Sequence, residues 1–152
     1  MRDTASIPPA VAAFGFAGLL PPIAAAAALF LLPAGPPQQF AWVCLVFYGA
    51  LIFSFLGGTW WAFAARDPRP AWLLMAVAPS LLALVLLLAM LSPASRPWSA
   101  ALLGVGVLAS PLADKALASA ELTPAWWLRL RVPLSVGLAL CLAVAAFRAP
   151  LG

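Results

Sequence analysis

Histidine does not occur in this chain of 152 residues, and four acidic side chains accompany eight basic ones. Without histidine the chain lacks the commonest haem, copper and zinc ligand and the commonest proton shuttle. Cys44 and Cys141 stand singly inside apolar runs, so neither a CxxC metal motif nor a framework of several bridges is available. The acids are Asp3, Asp67, Asp114 and Glu121. Hydrolysis needs an activated nucleophile with a base, a pair of carboxylates, or a metal, and no such set is visible. The chain is expected not to be an enzyme and to hold no cofactor.

What the chain has in abundance is apolar sequence: 66% of its residues are hydrophobic and 8% charged, where a soluble domain has about 45–50% and about 25%. Apolar runs cover residues 11–32, 40–64, 71–91, 98–118 and 124–147. Each is near the roughly 20 residues that cross a bilayer as a helix. With a short turn, a span takes roughly 25–30 residues, so five of them account for a chain of this length as a single membrane domain. The expected fold class is all-α, an integral membrane bundle of five transmembrane helices. The first run is too long for the apolar core of an ordinary signal peptide and reads as a retained span. The net charge of +4 would suggest nucleic acid in a soluble protein. Here the basic residues are scattered singly or in pairs between apolar segments, and membrane orientation explains them instead.

Turn chemistry separates the runs at Pro33–Pro37, Arg66–Pro70 and Ser92–Pro97, where proline and small polar residues stop helices. Thr123 followed by Pro124 reads as an N-cap with proline at the first helical position. If the spans alternate, Arg2, Arg66, Arg69, Lys115, Arg129 and Arg131 fall on one side, and Arg96 and Arg148 on the other. Basic loops stay inside, which places the N-terminus in the cytoplasm and the C-terminus in the periplasm. Trp60, Trp61, Trp72, Trp126 and Trp127 then mark inner span ends, and Trp42 and Trp98 outer ones, as expected of interfacial indoles. A bacterial cytoplasmic (inner) membrane is the expected location.

The stretch Leu45–Trp61, with its Tyr48-Gly49-Ala50 and Ser54-Phe55-Leu56-Gly57-Gly58 elements, resembles a bacterial family of small polytopic membrane proteins classed as a domain of unknown function. The animal mitochondrial transmembrane protein sixty-nine is similar to that family. Further matching elements are Gly18-Leu19-Leu20-Pro21, Pro79, Asp114 and Trp126-Trp127-Leu128-Arg129-Leu130-Arg131. The resemblance implies the same polytopic topology over nearly the whole chain and carries no biochemical activity with it.

Two constellations stand out. Ser54 and Gly58 are four apart on one helix face beside Gly57, a spacing that lets a second helix approach closely. Gly104, Gly106 and Ser110 could supply the opposing surface. The same small residues could instead leave a crevice for a ligand, with Tyr48, Trp60 and Trp61 offering rings and polar tips. At the inner boundary, Asp114 can meet Arg129, little more than one turn into the next span; Arg129 and Arg131 are two apart on a helix and cannot both point at it. A structural clamp between the last two spans is one reading. An anionic headgroup or substrate held by Arg129 and oriented by Asp114 is the other. Prolines at 21, 22, 79, 111 and 133 lie within or near spans, where each frees a backbone carbonyl and bends the helix.

The expected role is that of a non-enzymatic accessory or assembly protein packing with membrane partners. The alternatives are a binding module for a lipid or other apolar ligand in an intramembrane crevice, and a small transporter or channel. Expected partners are the lipid bilayer, a membrane protein or second copy of the chain, and a lipid or apolar ligand, with no nucleic acid.

Overall fold

A computed structural model describes residues 6–150; Arg2 and Asp3, used above, lie outside the described residues. The described chain is helical throughout: α1 (Pro9–Ala17), α2 (Leu20–Leu31), α3 (Pro36–Ala64), α4 (Pro70–Ala89), α5 (Arg96–Ser119) and α6 (Trp127–Phe147), with a short 3₁₀ turn at Pro93–Ser95 before α5. Five helical stretches are long and apolar enough to cross a membrane, α1 and α2 together forming the first. Helices α5 and α6 pack against each other along their length, as do α3 and α4, while α2 lies along α3. Trp42, Leu45, Leu103, Leu117 and Leu142, from α3, α5 and α6, are essentially inaccessible. Large apolar side chains such as Phe14, Leu74, Leu112 and Phe147 point outward, as a lipid-facing surface requires.

The break between α1 and α2 falls at Gly18–Leu19, and its cause is Pro21-Pro22. A helical N–H at position 22 would bond the carbonyl of Gly18; proline has none. The Tyr48 hydroxyl of α3 donates to that carbonyl instead. The same substitution recurs elsewhere. Pro33 leaves the Leu29 carbonyl without its helical donor, and Gln38 Nε2 at 2.9 Å and Arg148 Nη2 at 3.0 Å supply two. Pro111 frees the Val107 carbonyl, which takes the Ser110 hydroxyl at 2.7 Å. At the far end of α6, the unpaired Ala145 carbonyl receives the Trp42 indole N–H at 2.8 Å. A freed carbonyl in hydrocarbon is costly, so these side chains close gaps that the backbone leaves.

The expected start of the last span at Pro124 is displaced. Helix α5 ends with Glu121 at φ 56° and the Leu122 N–H bonded back to the Leu117 carbonyl, the reversal that closes a helix with a left-handed residue. The chain then turns once more through Pro124, and α6 begins at Trp127 without a side-chain cap. The Thr123 hydroxyl is buried and has no partner, so it does not act as an N-cap.

The tryptophans near the span ends differ in what they face. Trp61 and Trp98 are exposed, but Trp42 and Trp60 are buried inside the bundle and use their indole N–H groups as structural donors. Among the small residues, Gly57 lies against α4, where a methyl group would overlap the Ala76 carbonyl oxygen, whereas Gly58 faces open space. The opposing surface is therefore α4 rather than α5, reinforced by a 2.9 Å hydrogen bond between the Ser54 and Ser80 hydroxyls. Gly104 instead meets Leu142 and Gly106 meets the Phe53 ring. Gly57→Ala is expected to destabilise the bundle by about 1–3 kcal/mol through overpacking, with Gly58→Ala close to neutral. Thermal unfolding in detergent, followed by size-exclusion fluorescence, checks this; equal melting temperatures for the two variants would refute the close approach of α3 and α4.

Candidate functional site

Asp114, on α5, has no accessible surface. One carboxylate oxygen accepts the Trp60 indole N–H of α3 and the Trp127 indole N–H of α6, each at 2.8 Å. The other accepts Nε of Arg131, also on α6, at 3.1 Å. Arg131 is itself buried. Its Nη2 reaches the Ser110 hydroxyl oxygen at 3.2 Å, and its guanidinium lies 5.9 Å from the centre of the Trp127 ring. The edge of that ring arrangement is closed by Phe63, whose ring meets Trp127 at 85° and 5.1 Å.

Proton counting completes the network. The single proton of Ser110 goes to the Val107 carbonyl, so in the 3.2 Å contact between the hydroxyls of Ser110 and Ser135 it is Ser135 that donates. Ser110 then gives one proton and receives two, which is its full capacity. The geometry has a simple origin. Ser110 precedes Asp114 by four residues on α5, and Trp127, Arg131 and Ser135 follow one another at intervals of four on α6. Each set lines one helix face, and the antiparallel pairing sets Asp114 beside Arg131 and Ser110 beside Ser135.

Asp114 is thus paired with Arg131. Arg129, the residue expected to hold a headgroup or substrate beside Asp114, is exposed on another face of α6, because two helical residues are about 200° apart. Trp60 belongs to the Asp114 cluster, while Trp61 points outward from α3. Ser54, Gly57 and Gly58 take no part in it. Sequence reasoning missed Ser110 and Ser135 as members of the network, although their four-residue offsets from Asp114 and Arg131 mark the faces that meet.

Beside this network lies a crevice of about 200 Å³ between the α1–α2 break, α3 and α6. Its walls are mostly apolar, with Phe14, Leu19, Ile52, Phe55, Leu134 and Leu138 among them, and Tyr48, Arg131 and Ser135 as polar lining residues. Phe14 and Phe55 are 82% and 64% exposed, so the crevice opens sideways, toward the outer surface of the bundle. Of the small residues expected to frame a crevice, Ser54, Gly57 and Gly58 are absent from its lining, whereas Gly15 and Gly18 contribute. Among the described residues no group of three metal-ligating side chains occurs.

Residues 7–147 match the family model described as a protein of unknown function, DUF3429. Neither a curated protein nor a solved structure matches the chain significantly.

Removing one member of a buried ion pair strands the other. Asp114→Ala is expected to cost about 3–5 kcal/mol by leaving Arg131 without its countercharge. Asp114→Leu combined with Arg131→Met should recover part of that loss, since the apolar pair needs no compensation. Monodisperse yield and melting temperature in detergent measure both; a double variant no better than Asp114→Ala would show that the charge imbalance is not what destabilises.

Proposed function

The chain belongs to the DUF3429 family of proteins of unknown function, and from that premise we propose a multi-pass membrane protein that binds a lipid or other apolar ligand in its lateral crevice without transforming it. The observation that carries this reading is the crevice itself: an apolar cleft open to the side of the bundle, with a buried guanidinium in its wall. Small-molecule sites combine an apolar lining with a few convergent polar groups. The neighbouring network is ill suited to catalysis, because both oxygens of Asp114 accept hydrogen bonds and the Ser110 proton is committed. The proposed setting is a bacterial cytoplasmic membrane with the N-terminus inside. That orientation is supported by Arg66, Arg69, Lys115 and Arg129, which gather at one end of the bundle, opposite Arg96 and Arg148.

A second reading, an accessory protein that packs against a membrane partner, is favoured by a different feature. A shallow groove on the outer face of α5 and α6 is floored by Gly104, Ala101, Ala139 and Ala143, and small residues of this kind let a foreign helix approach closely.

One experiment addresses both. Native mass spectrometry after gentle detergent extraction should find a retained small molecule, and Ile52→Trp, which fills the crevice, should displace it while leaving the elution profile unchanged. A stoichiometric protein partner with no small molecule would favour the accessory reading. Retention unaffected by Ile52→Trp would rule out the crevice as the ligand site.

In the proposed orientation, single cysteines placed in a Cys44→Ser, Cys141→Ser background should report opposite sides. Ser95→Cys is expected to react with an impermeant maleimide on intact spheroplasts, and Asp67→Cys only after lysis. The reverse pattern would invert the topology.

A further inference from the structure

We infer that the crevice selects an electroneutral lipid whose polar end carries a carbonyl oxygen, and discriminates against anionic lipids; this rests on the crevice being a ligand site. Among the described residues, Arg131 is the one charged residue in its lining, which at first suggests an anion. Its charge is already balanced in contact by Asp114 at 3.1 Å, with side-chain exposures of 8% and 0%. A further negative charge brought into the cleft would face a neutral pair, with no countercharge to offset its loss of hydration. The nearby Lys115 and Arg129 are exposed and do not line the cleft.

What the crevice offers is hydrogen-bonding capacity, and it is mainly that of a donor. The protons of Tyr48 and Ser135 go to the Gly18 carbonyl and to Ser110. The guanidinium has five N–H groups, and its contacts with Asp114 and Ser110 use one each on Nε and Nη2. The others are the source of donors at the cleft. A carbonyl oxygen accepts such a bond and requires no proton partner of its own.

Depth agrees. Arg131 lies four residues into α6, about 6 Å along its axis; with the start of α6 at the headgroup boundary, as the proposed orientation has it, that is the level of a bilayer lipid's ester carbonyls. From there the cleft runs to Leu138, about 10 Å deeper at 1.5 Å per residue, lined by apolar side chains that suit a tail. Its volume of about 200 Å³ holds a short segment of chain, and the open side between Phe14 and Phe55 lets the rest continue into the bilayer.

The test uses the full chain in phosphatidylcholine nanodiscs with two photoreactive probes of identical acyl chains, a diacylglycerol and a phosphatidic acid. Labelling is read by peptide mass spectrometry at 14–19 and 48–56, with and without unlabelled competitor. The diacylglycerol is expected to label these segments at least about tenfold more than the phosphatidic acid, the preference that one uncompensated charge in a poorly hydrated site would impose. Arg131→Met should reduce diacylglycerol labelling toward the phosphatidic acid level. Asp114→Asn, which unbalances the arginine, should shift preference toward phosphatidic acid. Equal labelling, or a preference for phosphatidic acid in the unaltered chain, overturns the inference while leaving the crevice as a lipid site. Absence of competable labelling by either probe overturns the ligand-site reading as well. If a variant does not fold, the ratio in the unaltered chain decides.

Discussion

A carboxylate with no accessible surface must be compensated on every side, and the architecture of this bundle follows from how Asp114 is compensated. Removing such an ion from water costs several kcal/mol even after relaxation. The two indole N–H groups and the guanidinium that offset this cost come from α3 and α6, so the pairing is satisfied only when α3, α5 and α6 are assembled in one register. Apolar packing alone provides no such specification in a membrane, where lipid tails are as apolar as leucine. The lateral crevice is a by-product of the same arrangement, since Arg131 and Ser135 serve both the network and the cleft wall.

Proline supplies the second organising device. Within hydrocarbon a carbonyl needs a donor, and a proline four residues after it removes the helical one. Tyr48, Gln38, Arg148 and Ser110 meet that need at carbonyls freed by Pro22, Pro33 and Pro111. Except at Ser110, the donor comes from a different helix or from the chain beyond one, so a local backbone defect becomes a tertiary contact. This accounts for a first span made of two short helices rather than one: its break is held open from α3.

Much of this was legible in the sequence. Apolar runs and proline-rich turns located the five spans, and the two-residue offset of Arg129 and Arg131 required that only one of them face Asp114. Arg129, the expected partner, faces away instead, because the choice depends on the rotation of α6, which the four-residue spacing from Arg131 to Ser135 marks. Which way the tryptophans face was not legible for a related reason. Indole prefers the interface when it has no better acceptor, but Asp114 gave Trp60 and Trp127 one, and the end of α6 gave another to Trp42. Thr123 failed as a cap because the left-handed turn at Glu121 and the placement of Trp127 on Asp114 decide where α6 begins. The crevice itself could not be read from composition: its walls come from segments between about 25 and 120 positions apart, beside the helix break at Gly18.

The bond from Arg148 to the Leu29 carbonyl spans 119 positions and joins the end of α6 to α2, the second half of the first span. In a chain made from its N-terminus onward, that carbonyl meets Gln38 after nine positions and the Arg148 guanidinium only after 119. The Gly18 carbonyl waits a shorter time, for Tyr48, and Asp114 waits for Trp127 and Arg131. Each of these contacts thus ties an earlier span to a later one, so the backbone gaps of the early spans close only as the later spans join the bundle. Truncation near the C-terminus would be felt at the opposite end of the chain, in the first helical hairpin.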